Sequence, residues 1–244
     1  MHIHLPKPLH DWRAFLGEVG VIVLGILIAL TLEQLIESIH ENRIAGEARE
    51  AVKAEVRENL WWLELRAQRE PCIRRRLAEL DDLLARARRG APIPVVRYLG
   101  TLGHAKITTL RWQANSEAGR ASLFSGDEQR SLGNMYFTTE QFWQAQEQEE
   151  IIWSKMRFIQ GLQQLTPLDI HDLGIFLAEA RYQNWIVLLS LHRAQQWAQR
   201  MHLAPANAGQ VENFKPSEVQ ICQKLTAPLV PSGSDAFAEP GDMP

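Results

Sequence analysis

The chain has 244 residues, an apolar fraction of 45% and a formal net charge of −3. This length suits one sizeable domain plus an anchor, or two small domains. The near-neutral charge gives no sign of a nucleic-acid-binding protein or of an enzyme for acidic substrates. Residues 72–90 hold six arginines against three acids. We interpret them as a solvated helix face, with binding of phosphates or anionic lipid as the alternative.

The N-terminal region contains one long apolar run, DWRAFLGEVGVIVLGILIALTLEQ, at residues 11–34. A helix from Trp12 to Leu32 would rise about 31 Å, enough to cross a hydrocarbon layer of about 30 Å. Trp12 stands where an interfacial aromatic residue belongs. We therefore predict an uncleaved transmembrane anchor over residues 12–34. A buried core helix is one alternative. A signal peptide is the other, but small residues at cleavage spacing are missing after the run.

The positive charges around this run predict its orientation. Lys7 and Arg13 precede the apolar residues, whereas only Arg43 follows them within fifteen residues. Positive residues are retained on the cytoplasmic side. We therefore expect a single-pass protein of the bacterial inner membrane. Residues 1–11 would be cytoplasmic, and the bulk of the chain would be periplasmic.

One face of the predicted anchor carries an ionisable residue. A stripe with spacings of three and four joins the following residues: Glu18, Ile22, Gly25, Ala29, Leu32 and Ile36. Gly25 and Ala29 form a small-xxx-small pair, which allows close approach of a second helix. Glu18 then has three interpretations: a tolerated flank near the headgroups, a contact with a partner helix, or a proton relay. A relay would require further intramembrane acids or histidines, which the run does not contain.

The pattern beyond the anchor is helical. Apolar residues recur three or four apart over residues 35–69, which predicts a rod-like helix. Pro71 is expected to end it, and residues 72–89 read as a second amphipathic helix. Residues 90–125 are irregular and rich in glycine. Within them, residues 95–124 are the best place for a binding pocket, although nothing in them names a ligand.

Two further helices are predicted from their start signals. Ser125 and Glu128 form a capping-box pattern that opens a helix over 126–165. Thr166, followed by Pro167 and Asp169, opens another over 167–201. The apolar seam of this last helix has the following members: Leu173, Leu177, Ala180, Asn184, Val187, Leu191, Ala194 and Ala198. Asn184, in mid-seam, either sets the register between helices or points at water.

The C-terminal region changes composition at about residue 204, where Pro, Gly, Ala and Ser become frequent. We predict a mostly disordered tail over 204–244 with a short helix at 217–225. Cys72 and Cys222 can form a disulfide or remain two buried thiols, and the sequence leaves both possibilities open. The fold class that follows is mainly α: a transmembrane helix continuing into a helical rod, then an extramembrane helical bundle over residues 35–203.

No recognisable motif for catalysis or cofactor binding occurs in the chain, so we expect neither an enzyme nor a cofactor. A metal site needs three or four convergent ligands. The histidines at the N-terminus do not provide such a set, and neither does His171 with Asp169 and Asp172. We therefore predict no metal site and no catalytic residues.

Two segments resemble a group of bacterial proteins of unknown function, seen mostly in Gram-negative lineages. The first is FLGEVGVIVLGILIALTLEQ, followed by a long charged helix. The second is LRWQANSEAGRASLFSGDEQRSLGNMYF. The resemblance implies a single-pass inner-membrane protein with a helical domain and transfers no activity. The matching positions, which we expect to be structural, are Trp112, Gly119, Leu132 and Tyr136.

These observations together favour a membrane-anchored helical interaction protein. It would be a homo-oligomer or the accessory subunit of a bacterial envelope complex. Its partners would be membrane lipid and either itself or another membrane protein, with no nucleic acid. One alternative is a periplasmic ligand-sensing bundle that signals through a partner. Another is an enzyme with a site in residues 95–125.

Overall fold

The computed structural model describes residues 12–207, 215 and 219–227. Within these residues the secondary structure is helical, with no strand and one isolated bridge between Val96 and Gln160. The four α-helices are α1 (Trp12–Arg88), α2 (Leu110–Glu117), α3 (Gly126–Met156) and α4 (Pro167–Arg200). The predicted mainly-α class is confirmed. Residues 1–11 and most of the predicted tail lie outside the described residues.

Helix α1 is one continuous helix of 77 residues, about 115 Å long. The predicted break at Pro71, with separate helices over 35–69 and 72–89, is therefore wrong. Pro71 is exposed, so water can bond the carbonyl that loses its helical donor. Cys72 and Ile73 directly after it are buried. This packing offsets a local cost of about 3 kcal/mol for an interior proline.

The part of α1 beyond residue 44 forms a three-helix bundle with α3 and α4. Helix α3 runs parallel to α1, as two ion pairs show. Arg49 pairs with Glu128 near the start of α3, and Arg66 pairs with Glu149 further along both helices. Helix α4 runs antiparallel to α1. Its residue Arg181 pairs with Asp81, and the backbone N–H of Ala206, beyond its end, donates to the carbonyl of Arg57.

The start signals of α3 and α4 are confirmed. Both helices begin with a complete capping box, formed by Ser125 with Glu128 and by Thr166 with Asp169. Every member of the predicted α4 seam is buried. Helix α3 ends at Met156, nine residues before the predicted end at 165. Gly161, with φ +80°, turns the chain there and donates its backbone N–H to the Val96 carbonyl at 2.9 Å.

Residues 90–109, here named the return segment, run back along α1 towards α2 without regular secondary structure. Side chains of α1 and α3 form hydrogen bonds with the backbone of this segment, as a neighbouring strand would in a sheet. Asn59 donates to the Thr108 carbonyl at 2.8 Å and accepts from its N–H at 3.0 Å. Gln146 of α3 bonds both backbone groups of Ala105 in the same way. These bonds satisfy polar backbone groups that would otherwise be buried without partners.

The return segment also passes close to the C-terminal residues. Gly100 has φ +98°, and a Cβ there would lie 2.8 Å from Ile221 Cδ1, so this position requires glycine. Cys222 forms a disulfide with Cys72. The predicted helix at 217–225 is wrong in the described part, where a 3₁₀ turn covers only Gln220–Cys222. The disulfide and these side contacts hold this stretch irregular against α1.

Candidate interaction surfaces and ligand cavity

The first candidate surface is the N-terminal part of α1, residues 12–43, here named the bare segment. Every side chain described in it is exposed. Among the described residues, α1 is the one helix long and apolar enough to cross a membrane, and its apolar window has no share buried in the protein. A soluble core helix with that composition would be covered by its own chain. The bare segment could therefore cross a membrane.

The predicted contact stripe lies on the bare segment and touches no other part of the described chain. Glu18, Ile22 and Ala29 are exposed, and a Cβ on Gly25 would meet nothing within 4 Å. The apolar face continues past the end of the predicted anchor. Leu35, with Ile36 and Ile39, is more than half exposed there.

A second apolar surface lies on the side of α4 that faces away from the core. Its members are Ile175, Ala178, Tyr182 and Trp185, again three and four residues apart. Tyr182 is 59% exposed and Trp185 is 55% exposed, although large aromatic side chains are normally well buried. A shallow cavity of about 530 Å³ between α3 and α4 adjoins this surface and is lined partly by Tyr182 and Ile151.

A buried polar cluster joins the three long helices at mid-height. Arg66 of α1, 1% exposed, donates to both carboxylate oxygens of Glu149 at 3.1 and 3.0 Å and to Asn184 Oδ1 at 2.8 Å. Asn184 Nδ2 in turn donates to Glu70 at 3.1 Å. The structure therefore buries Asn184 and does not point it at water. Its bonds to α1 agree with the predicted register-setting role, which stays a prediction.

The buried charges of Arg66 and Glu149 stabilise each other. Glu149 is completely buried, and loss of hydration raises the pKa of its carboxyl group while the Arg66 guanidinium lowers it. Sequence reasoning missed Glu149 and Arg66. For the α1 side of the cluster, the spacing of residues contained a signal. Arg66 follows Leu63 by three residues and Glu70 follows Arg66 by four, so both continue the core spacing of α1. Charged residues at such positions indicate buried pairing.

Glu55 is a second buried acid, and it joins two of the four positions that carried the family resemblance. Its carboxylate accepts from the Tyr136 hydroxyl at 2.6 Å and from the Trp112 backbone N–H at 3.2 Å. The two rings stack with centroids 5.2 Å apart. Leu132 is buried in the same core, and Gly119 has φ +70° before the 3₁₀ turn Arg120–Leu123. Trp112, Leu132 and Tyr136 therefore contact the core, and Gly119 adopts a backbone conformation that favours glycine.

The predicted pocket region contributes to a cavity of about 600 Å³. One wall is the return segment and the other is the end of α3. His104 Nδ1 and Glu150 lie 2.9 Å apart at this cavity, and the His104 ring meets Trp143 edge-on. The contributing residues are Gly100, Thr101, Leu102, Gly103, His104, Lys106, Glu150, Trp153, Ser154 and Arg157. Sequence reasoning found the first wall and missed the second.

In the part of the chain that the structure describes, no group of three or more His, Cys, Asp or Glu residues is arranged to hold a metal ion. Comparison of the chain with known protein families, with curated proteins and with solved structures finds no match. The function must therefore be argued from the two apolar surfaces, the buried polar groups and the cavity.

Proposed function

We propose that the protein is a membrane-anchored interaction protein of the bacterial inner membrane. It would assemble with itself, or serve as an accessory subunit of an envelope complex, through the bare segment. The observation that carries the proposal is the complete exposure of that segment beside a well-packed bundle. Lipid would cover most of this apolar surface, and a second helix would cover the stripe.

The stripe supports pairing of helices because of its composition. Within a bilayer, helices associate through close packing at small residues, and Gly25 with Ala29 provides such a place. Glu18 lies on the same face, where a partner could share its charge. Leu35, Ile36 and Ile39 extend the face by about 10 Å beyond Leu32, where lipid tails no longer cover them. A coiled-coil contact would cover these three residues.

Two observations support a periplasmic location of the bundle. The disulfide between Cys72 and Cys222 belongs in an oxidising compartment, because cytosolic reductants keep thiols reduced. Lys7 and Arg13, which precede the apolar run, agree with retention of the N-terminus in the cytoplasm. The outer face of α4, with Tyr182 and Trp185, would then be available to a partner in the periplasm.

The test is affinity purification of the tagged full-length protein from native membranes in mild detergent, with mass spectrometry and cross-linking. We expect a homo-oligomer or a stoichiometric membrane partner. Gly25→Leu should reduce its recovery several-fold, because a leucine on the small-residue face separates the helices. Glu18→Gln distinguishes two roles: unchanged assembly marks a tolerated flank, and a loss marks a contact.

Gly20→Leu is the matched control, because Gly20 lies on the opposite side of the helix and also has open space around it. It should leave recovery unchanged. Equal recovery from the wild type and Gly25→Leu would contradict pairing through this face. A monomer with no partner in native membranes would contradict the proposed function as a whole.

A second candidate function is ligand sensing by the bundle, with a partner protein carrying the signal across the membrane. The cavity beside His104 favours this candidate, since sites for small molecules are concave and of comparable size. A ligand that binds the folded state should raise the melting temperature of the protein, and the rise should continue with the logarithm of ligand concentration above the Kd. Screening for such stabilisation tests the candidate.

A further inference from the structure

We propose that an arginine patch at the far end of the bundle docks an acidic segment of a partner protein. The patch consists of Arg88, Arg89, Arg97 and Arg157, and all four side chains are exposed. This docking goes beyond assembly through the bare segment. The two can fail separately, because the contact stripe lies near the opposite end of α1.

Contacts between segments gather the four arginines at one end of the bundle. Arg88, the last residue of α1, lies against α4, since a Cβ on Gly174 would be 2.9 Å from its guanidinium. Arg97 follows Val96, which forms the isolated bridge with Gln160. That bridge adjoins the 3₁₀ turn after α3, and the first residue of this turn is the fourth arginine.

This end of the bundle is positively charged, although the whole chain has a net charge of −3. It is built around a hydrophobic cluster with members in residues 72–102, 152–180 and 219–225. These ranges hold ten Lys and Arg residues against six Asp and Glu residues. The rest of the chain is therefore acidic, and the positive end favours the approach of an anionic partner.

Ion pairs within the bundle leave the patch uncompensated. Three acids of α1 have basic partners outside the patch: Glu79 with Arg76, Asp81 with Arg181 and Asp82 with Arg86. Three acids of α4 have no basic partner among the described residues: Asp169, Asp172 and Glu179. The exposed side chains of Lys155 and Lys224 offset two of these charges. Within the same residues, the four patch arginines make no ion pair and no side-chain hydrogen bond. The helix dipole at the end of α1 supplies only about half a negative charge, so it offsets little of the patch.

The distance from the predicted anchor excludes the surrounding lipid as the source of the anion. Arg88 lies 56 residues beyond Leu32, which is about 84 Å along α1. Charges in water at physiological ionic strength are screened over about 8 Å. The lipid headgroups around the anchor are therefore out of reach, and the anion must belong to another molecule.

Apolar side chains at this end favour a protein over a purely charged polymer. Leu168 is 67% exposed and Val95 is 40% exposed. Carboxylates of an acidic segment can bind the planar guanidinium groups through two parallel hydrogen bonds, as in other arginine clusters that recognise acidic motifs. Apolar residues of the same segment would cover Leu168 and Val95.

The test measures peptide binding to the full-length protein in phosphatidylcholine nanodiscs by fluorescence anisotropy. The probe is a labelled peptide of alternating glutamate and leucine, and its counterpart carries glutamine in place of glutamate. We expect the acidic peptide to bind at least about tenfold more tightly, and to lose affinity as ionic strength rises. Equal binding of the two peptides would overturn the acidic partner. Equal or tighter binding of polyphosphate, or of phosphatidylglycerol vesicles, in competition with the peptide would overturn the protein partner.

Variants locate the docking surface. The double variant Arg89→Gln/Arg97→Gln removes two charges of the patch and should weaken binding of the acidic peptide about tenfold. Arg120→Gln/Arg193→Gln removes two exposed arginines outside the patch and is the matched control. All four side chains are exposed, so both variants should keep the melting temperature of the wild type. Unchanged affinity in the patch variant, or an equal loss in the control, would overturn the site.

Discussion

Two parts of α1 contain long apolar stretches but lie in different surroundings. In both parts, these stretches are apolar on every side of the helix. Residues 45–88, here named the covered part, pack against the rest of the chain, whereas the bare segment does not. Leu60, Trp61, Trp62 and Leu63 are four consecutive residues, and each is almost fully buried in the bundle. Residues 21–28 of the bare segment are all exposed. An apolar helix of this kind needs an apolar environment, which protein or lipid can provide.

The treatment of charge distinguishes these two environments. The bare segment has no charged residue between Val19 and Leu32. The covered part accepts Glu55, Arg66 and Glu70 in its core, because other helices provide partners for them. A charge in lipid has no such partner unless a second helix provides one. Glu18 adjoins this uncharged run, and its contact with such a partner stays a prediction.

The largest expected effect comes from breaking a core charge pair in the covered part. Arg66→Met leaves Glu149 buried and uncompensated, and should lower the free energy of unfolding by about 3–5 kcal/mol. The loss should shrink at acidic pH, because protonating Glu149 removes the unpaired charge. Urea denaturation of the detergent-solubilised protein, followed by tryptophan fluorescence, measures both effects.

Arg43→Met provides the comparison within the bare segment. Arg43 pairs with Glu47 at 3.9 Å, and both side chains are well exposed. Exposed pairs of this kind contribute at most about 1 kcal/mol, so little change is expected. If Arg66→Met cost no more than Arg43→Met, the buried cluster would not hold the covered part together.

A somewhat smaller loss is expected when the disulfide is removed. The bond between Cys72 and Cys222 closes a loop with a sequence separation of 150 residues. Its loss should lower the free energy of unfolding by about 2–5 kcal/mol, chiefly because the unfolded chain gains freedom. The double variant Cys72→Ala/Cys222→Ala, measured by the same denaturation, should match the reduced wild type.

The bare segment provides the control for this change as well. Recovery of cross-linked oligomer or partner should be the same with and without the disulfide, since the bond lies far along α1 from the contact stripe. A protein that lost assembly but kept its stability would contradict the division of α1 into a covered part and a bare segment.

Local sequence signals predicted the features of the fold that depend on neighbours in the chain. The capping boxes at Ser125 and Thr166 need only residues three positions apart, and both helices begin there. The α4 seam depends only on helical periodicity. The stripe on the bare segment depends on the same periodicity, and its role as a helix contact stays a prediction.

Features that depend on distant partners could not be predicted in this way. Pro71 does not end α1 because the buried residues after it pack against the rest of the bundle. The end of α3 depends on a bond between Gly161 and Val96. The cavity combines residues near His104 with residues near Arg157, and only the first group was expected to form a pocket. In each case the deciding contact joins segments far apart in sequence.

The smallest expected effect concerns Tyr136, whose hydroxyl bonds Glu55 of the covered part. Burial raises the pKa of the Tyr136 phenol, and the hydrogen bond to the negatively charged Glu55 raises it further. The unfolded chain releases this proton near pH 10, whereas the folded protein retains it. The contribution of Tyr136 is therefore complete below pH 10. It decreases at higher pH by up to about 1.4 kcal/mol per pH unit.

Replacing Tyr136 by phenylalanine isolates this contribution. Tyr136→Phe should cost about 1–2 kcal/mol at pH 7, since Glu55 loses one donor and keeps two backbone donors. Above pH 10 the variant should lose stability less steeply than the wild type, by one proton in the linkage slope. Tyr182→Phe removes an exposed phenol instead and is the matched control for loss of a tyrosine hydroxyl. Parallel slopes for the wild type and Tyr136→Phe would mean that the phenol is hydrated in the folded protein. The contact between α3 and the covered part of α1 would then be looser than the 2.6 Å bond implies.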